Sequence, residues 1–206
     1  MPTDPNRRPS LLSRLVRRIL LALYRWKGWT LEGRRPDCDK FIILGAPHTS
    51  NWDFPVTVFA AWAADMKLHW LGKKQLFRKP LGWLLTALGG VAVDRGRSTG
   101  LVGQLAERYA AEDGLIIAVP PSGTRSKKPR WKSGFYHIAR EAGVHMLLAY
   151  VDYTKKEICF GPTFVPTGDM KADMDLVREF FAGVEGRFPE KQSTIQLAEE
   201  ETSPAS

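Results

Sequence analysis

Residues 41–53, FIILGAPHTSNWD, are the segment around which we expect the domain to be built. Its first four residues, Phe41-Ile42-Ile43-Leu44, have the pattern of a buried strand. Pro47 cannot donate a hydrogen bond to a neighbouring strand, and a helical pattern begins at about Ser50. His48 therefore lies where a strand gives way to a helix, a position from which side chains commonly face a cleft.

Two interpretations of this junction compete. In the first, His48 takes a proton from a hydroxyl group, while Asp53 holds the imidazole ring and stabilises its protonated form. In the second, the residues form a capping box, with Ser50 as the N-cap and Asp53 at the third helical position. His48 is then an ordinary loop histidine.

The composition indicates one folded domain. The chain has 206 residues, 44% of them apolar, which is enough for a sizeable core. Its two cysteines, Cys38 and Cys159, form neither a zinc-binding spacing nor a redox pair, and this suits a reducing compartment. We expect no metal site.

The net charge of +8 is concentrated near the N-terminus. Residues 1–35 contain nine basic and two acidic residues, a balance of +7, so the remainder is almost neutral. Between Ser10 and Trp29 the apolar residues recur at helical spacing, and the arginines fall largely on the other side. The pattern is typical of a basic amphipathic helix that is too interrupted by arginine to span a bilayer.

Three roles remain open for this helix: lying in the surface of an anionic membrane, docking on the domain core, or contacting nucleic acid. The wide apolar stripe favours the membrane surface, and we expect no nucleic acid as a partner. We divide the chain into a membrane-surface helix over 1–29, the main domain over 30–190 and a flexible polar tail over 191–206.

Downstream of Asp53, helical and strand patterns alternate. This alternation predicts an α/β fold, a single domain with a mostly parallel central sheet flanked by helices. Glu157 to Phe160 is predicted as a hairpin partner or an edge strand, and Asp173 to Gly186 as a helix. Ligands gather beyond the carboxyl ends of strands in such sheets. Three informative stretches fall there, at residues 48–53, 94–95 and 122–125.

Cationic side chains near these strand ends suit a phosphate ligand. Arg95 and Arg125 each carry a planar guanidinium group that can hold two phosphate oxygens at once, and Lys73 is a further candidate. Gly123 allows a backbone to come close to a ligand. The chain has neither a Walker loop nor a G-x-G-x-x-G fingerprint, which disfavours nucleotide hydrolysis and hydride transfer.

Ser122 is a candidate nucleophile, although its loop lacks the glycine pair of a nucleophile elbow. With His48 and Asp53 it makes a conceivable hydrolase triad, which would form a covalent acyl-enzyme. Geometry, rather than sequence, has to decide this alternative.

From about Leu31 to Asp152 the chain resembles the glycerolipid acyltransferase family, whose best-known members are 1-acyl-sn-glycerol-3-phosphate acyltransferases. Four blocks in order carry the resemblance. They are His48-Thr49-Ser50-Asn51-Trp52-Asp53, which matches H-x-x-x-x-D; residues 73–95; Pro121-Ser122-Gly123-Thr124-Arg125-Ser126, which resembles P-E-G-T-R-S; and the strand block at 147–151.

The resemblance implies a monotopic enzyme on the cytoplasmic face of a membrane. It would move a fatty acyl group directly from acyl-CoA or acyl-carrier protein to the hydroxyl of a lyso-lipid acceptor, without a cofactor beyond that thioester. His48 would be the general base, and Asp53 would orient it. The residues that would bind the acceptor and shape the pocket for its phosphate are Arg95, Arg125, Ser122, Gly123, Thr124 and Lys73.

Two positions depart from the family pattern. Ser122 stands where the family has a glutamate that contacts the acceptor, and Ala149 stands in place of the usual proline of the last block. Candidate acceptors are therefore lysophosphatidic acid, another lyso-lipid or an amino-acid-derived lipid. A non-catalytic lipid-binding homologue is a further alternative.

Overall fold

The centre of the fold is strand β2 (Lys40–Gly45), whose apolar residues 41–44 are completely buried. The computed structural model describes residues 11–78, 82–87, 89–93 and 100–201. Successive side chains of a strand point to opposite faces of the sheet. Ile42 and Leu44 accordingly join one core cluster, and Phe41 and Ile43 join the other.

The other strands within these ranges lie on both sides of β2. They are β1 (Thr30–Gly33), β3 (Leu68–Lys73), β4 (Gly90–Val93), β5 (Leu115–Val119), β6 (His145–Asp152) and β7 (Glu157–Phe164). Their spatial order is β1-β7-β6-β2-β5-β3-β4. All neighbouring strands are parallel except β6 and β7, which form an antiparallel hairpin. The predicted α/β domain with a mostly parallel sheet is confirmed.

Helices cover both faces of the sheet. They are α1 (Leu11–Trp26), α2 (Asp53–Ala63), α3 (Gly82–Ala87), α4 (Gly100–Ala111), α5 (Gly134–Ala142) and α6 (Met170–Phe180), with short 3-10 turns at Lys74–Phe77, Pro189–Lys191 and Ala198–Glu201. Residues of α4, α5 and α6 fill the core cluster on one face, and residues of α2 fill the cluster on the other. This two-sided cover is expected when parallel strands are joined by helical crossovers.

Helix α1 contacts the domain near its end and exposes an apolar stripe. The Tyr24 hydroxyl donates a hydrogen bond to the Val56 carbonyl oxygen of α2 at 2.7 Å. Leu15, Ile19 and Leu23, which share a face at four-residue spacing, are 55%, 49% and 50% exposed. In the described part of the chain, no helix combines the length and the apolarity needed to cross a bilayer.

Helix α6 differs from the prediction of a helix over Asp173 to Gly186. It begins earlier because the Asp169 side chain caps it, accepting a hydrogen bond from the Ala172 amide at 3.0 Å. It also ends earlier, at Phe180, before a turn in which Gly183 has a φ of 72°. Glycine adopts this left-handed conformation without the steric penalty of a side chain.

The expectation of a frayed tail from residue 191 is wrong for residues 191–201. Leu197 is completely buried and belongs to the core cluster of α4, α5 and α6. The Arg178 guanidinium donates a hydrogen bond to the Glu200 carboxylate at 2.8 Å. Leu197 and the neighbouring Ile195 anchor this polar segment in the core, and ion pairs and hydrogen bonds hold it against the domain. Residues 202–206 lie outside the described ranges.

Candidate active site

The loop from β2 to α2 brings His48 and Asp53 together. His48 follows the last residue of β2 by three positions, and Asp53 is the first residue of α2. The Nδ1 atom of His48 lies 3.2 Å from Oδ2 of Asp53. Because this carboxylate oxygen accepts the Nδ1 proton, the other ring nitrogen, Nε2, is left free to take a proton from a substrate.

Asp53 is buried and receives hydrogen bonds from several sides. The backbone amides of Thr49 and Ser50 donate to its Oδ2 at 2.8 and 2.9 Å, and the Tyr153 hydroxyl donates to its Oδ1 at 2.9 Å. Burial raises the pKa of the carboxyl group, but these bonds and the His48 contact outweigh it and hold the pKa below its ordinary value. Asp53 is therefore ionised at neutral pH.

The predicted capping box is only half present, because Trp52, and not Ser50, is the N-cap of α2. The Asp53 carboxylate does bind the Ser50 amide, as in a capping box, and it contacts the His48 ring at the same time. The helix begins at Asp53 itself, and Ser50 accepts a hydrogen bond from the Trp52 amide at 3.1 Å. Fixing the loop backbone also fixes the carboxylate that orients the imidazole.

Tyr153, which the sequence analysis did not select, completes the support of Asp53. It directly follows β6, and its ring packs edge-on against Trp29 with the centroids 5.4 Å apart. Burial and the neighbouring Asp53 charge raise the pKa of Tyr153, so its hydroxyl keeps the proton that it donates. One indication of a role for Tyr153 was available in the sequence, namely its position just beyond the end of a strand, where ligand-binding residues concentrate.

A cavity of about 500 Å³ opens beside His48. Its walls are mostly apolar and come from the strands of the sheet and from α2 and α3. Its polar lining includes His48, Asn51, Asp53 and Arg125, and its apolar lining includes Ile43, Val58, Leu68, Leu71, Leu85 and Phe160. An apolar cavity with a few convergent polar groups is the usual form of a ligand site.

The loop after β5 carries the other predicted site residues that the structure describes. Arg125 lines the large cavity, whereas Ser122 is buried and lines a small cavity of about 30 Å³ that it shares with His48. The Ser122 hydroxyl donates a hydrogen bond to the Thr124 carbonyl oxygen at 2.7 Å. Gly123 has a φ of 64°, which allows the sharp turn before Arg125.

The side chains of two further predicted site residues, Arg95 and Lys73, are not described. Arg95 lies outside the described residues. Lys73 is the last residue of β3, but its side chain is not described. The structure therefore brings His48, Asp53 and Arg125 to one cavity and places Ser122 behind it.

A protein-family model matches the part of the chain that carries this site. A family model described as Acyltransferase matches residues 32–151, which is more than half of the chain. The chain belongs to the acyltransferase family, as its four sequence blocks implied, and His48, Asp53 and Arg125 all fall within the matched region. A search of curated proteins gives no match.

The fold is similar to a solved structure of such an enzyme. This is the crystal structure of the 1-acyl-sn-glycerophosphate (LPA) acyltransferase PlsC from Thermotoga maritima. The TM-score is 0.51 and the sequence identity 18%, with 76% of this chain and 70% of that chain covered. The two proteins therefore share an overall fold, while the substrate of this chain has to be argued from its own residues.

Replacing Tyr153 with Phe should lower kcat for acyl transfer about tenfold, because a hydrogen bond to a charged group is lost. The two KM values should stay within about twofold, since Tyr153 acts through Asp53 and does not bind substrate. Steady-state kinetics with both substrates varied would test this.

Tyr24→Phe is the matched control, because it removes a hydroxyl that bonds the backbone of the same helix without contacting Asp53. Equal kcat losses in the two variants would contradict the role assigned to Tyr153.

Proposed function

We propose that this protein is a membrane-associated acyltransferase that moves a fatty acyl group from a thioester donor to the hydroxyl of a lyso-lipid acceptor. The observation that carries the proposal is the 3.2 Å contact between His48 and Asp53 beside a largely apolar cavity. Membership of the acyltransferase family supplies the class of reaction.

In the proposed reaction, Nε2 of His48 takes the proton of the acceptor hydroxyl as its oxygen attacks the thioester carbonyl carbon. The ionised Asp53 stabilises the imidazolium that forms. The carbon–sulfur bond then breaks, and the leaving thiolate takes the proton back from His48. The products are an ester and a free thiol, and no oxidant or metal is consumed.

The large cavity suits the acyl chain. Its volume of about 500 Å³ falls within the range of about 300–1,000 Å³ that is usual for small-ligand sites. Most of its lining is hydrocarbon, so a fatty chain placed there leaves water at a gain of about 0.8 kcal/mol per methylene group. The thioester at the end of that chain then lies near His48.

Arg125 is the described cation best placed for an acceptor phosphate, because it lines the same cavity as His48. Arg95 and Lys73 remain candidates for the same role from the sequence. Ser122 removes the negative charge that the family glutamate would place behind this phosphate. We therefore propose a lyso-lipid acceptor with an anionic head group, lysophosphatidic acid being one example.

Direct transfer is favoured over a serine acyl-enzyme. The Ser122 proton is engaged by the Thr124 carbonyl, and within the described residues no hydrogen bond joins Ser122 to His48. A nucleophile requires its base within hydrogen-bond reach. Ser122 is accordingly assigned to the wall of the site.

Replacing His48 with Ala should lower acyl transfer to a lyso-lipid by about 10²–10⁴-fold, because the general base is lost. Transfer of labelled acyl chains from acyl-CoA and from acyl-carrier protein to a panel of lyso-lipids would measure this. His145→Ala is the control, since His145 is an exposed histidine at the start of β6. Near wild-type transfer by His48→Ala would refute the proposed mechanism.

Helix α1 is the proposed membrane contact. Its exposed stripe of Leu15, Ile19 and Leu23 would enter the acyl boundary of the bilayer, and Trp26, which is 77% exposed, suits the head-group level. The surplus of basic residues in this segment would strengthen binding to anionic lipids. A lyso-lipid acceptor would then reach the site without crossing bulk water.

Replacing Leu15, Ile19 and Leu23 together with Gln should weaken binding to vesicles of phosphatidylglycerol and phosphatidylcholine by more than tenfold. Each side chain is expected to contribute at least about 1 kcal/mol when it leaves water for lipid. Vesicle co-sedimentation would measure the partition coefficient.

The control is the pair Val165→Gln and Leu176→Gln, two apolar side chains that are 45% and 53% exposed elsewhere on the domain. Unchanged vesicle binding by the α1 variant, or an equal loss in the control, would count against a membrane role for α1.

A further inference from the structure

A second, basic cavity lies beside the active site. Its volume is about 360 Å³, and its lining includes Asn51, Trp52, Arg125, Ser126, Arg187 and Lys191. We call it the basic cavity. Arg187 and Lys191 belong to the segment after α6, beyond residues 32–151 that match the family model. The cavity is therefore built partly by a segment that the family pattern does not cover.

The three cations of the basic cavity have no acidic neighbour in its lining. Within the described ranges, Arg125, Arg187 and Lys191 form no ion pair with a carboxylate, although other partly exposed basic side chains do, Arg35 and Arg130 among them. Three unneutralised cations around one cavity create a positive potential that attracts an anion. Such a concentration is electrostatically unfavourable unless a ligand supplies the negative charge.

Aromatic rings position two of these cations. The Arg187 guanidinium carbon lies 5.9 Å from the ring centroids of both Trp52 and Tyr153, and the Lys191 ammonium lies 4.2 Å from that of Phe188. Cation–π contacts orient a cation without neutralising it. The charges thus remain available to a ligand.

The segment that carries these cations is fixed to the catalytic loop. The Phe188 amide donates a hydrogen bond to the Thr49 hydroxyl at 3.2 Å. A side chain at Gly186 would approach the Thr49 hydroxyl to 2.8 Å, so the Gly186 backbone packs closely against the Thr49 side chain. Arg187 is therefore held beside the loop that positions His48.

The basic cavity lies next to the apolar one. Asn51 and Arg125 line both cavities. A single substrate can therefore place a reacting group near His48 and an anionic group among the cations. Guanidinium and ammonium groups together are the usual partners of phosphate oxygens.

We propose that Arg187 and Lys191, together with Arg125, bind a phosphate group of a substrate in the basic cavity. This inference rests on the proposed function for its choice of ligands. The phosphate belongs either to the thioester donor or to the lyso-lipid acceptor, and the two sources are separable with fragments that lack an acyl chain. Adenosine 3′,5′-bisphosphate represents the donor, and sn-glycerol 3-phosphate represents the acceptor.

The test is calorimetric titration of the full chain with each fragment, comparing wild type with the double variant R187Q/K191Q. The affinity for one fragment should fall at least tenfold, because charge-assisted hydrogen bonds to the phosphate are lost. The fragment affected identifies the source. If neither fragment binds wild type, or if the double variant binds both with unchanged affinity, the inference is overturned.

The matched control is the double variant K67Q/K171Q, which removes the same charge from two exposed lysines outside the cavities. Its affinities should stay within twofold of wild type. An equal loss of affinity in the control would show that only the net charge of the protein matters, and would overturn the inference. If R187Q/K191Q does not fold, Lys191→Gln alone decides, because Lys191 is exposed. Its affinity should fall about threefold or more, and an unchanged value overturns the inference.

These titrations are independent of turnover. Fragment binding that depends on Arg187 and Lys191, without any acyl transfer by wild type, would refute the proposed function and leave this inference standing. Acyl transfer by wild type, with unchanged fragment affinity in R187Q/K191Q, would overturn this inference alone.

Discussion

One buried carboxylate, that of Asp53, connects the folding of this protein to its chemistry. An isolated carboxylate loses several kcal/mol of hydration when it is buried, so it persists only where hydrogen bonds replace the water. Here the amides of Thr49 and Ser50, the Tyr153 hydroxyl and the His48 ring provide them. The bonds that stabilise the loop between β2 and α2 therefore also hold the imidazole in place.

Distant parts of the chain converge on this carboxylate. The strand end at β2 provides the loop, and the end of β6 provides Tyr153, whose ring contacts Trp29 just beyond the proposed membrane helix. On the opposite side the segment after α6 bonds to Thr49 through the Phe188 amide. Segments near α1, the loop of His48 and the segment that carries the basic cavity thus all contact the surroundings of Asp53.

Local patterns in the sequence predicted a mostly parallel sheet and offered His48 and Asp53 as a candidate pair. The apolar run of 41–44 predicted the buried strand, and the contact of His48 with Asp53 was one of two interpretations of their five-residue spacing, favoured by the family resemblance. Tyr153 and Arg187 were missed, because their roles depend on which segments pack against the loop, and no local pattern records that. The packed segment 191–201 was missed for a similar reason, since one buried leucine within a polar stretch gives no periodic signal.

The proposed mechanism requires a particular tautomer of the His48 ring. Long-range proton–nitrogen correlation spectra of protein with 15N-labelled histidine, assigned by comparison with His48→Ala, would report which ring nitrogen carries the proton. The contact with Asp53 predicts that the neutral ring carries its proton on Nδ1 and leaves Nε2 bare. A spectrum with the proton on Nε2, or with the averaged signal of a freely exchanging ring, would contradict the assignment of His48 as a general base held by Asp53.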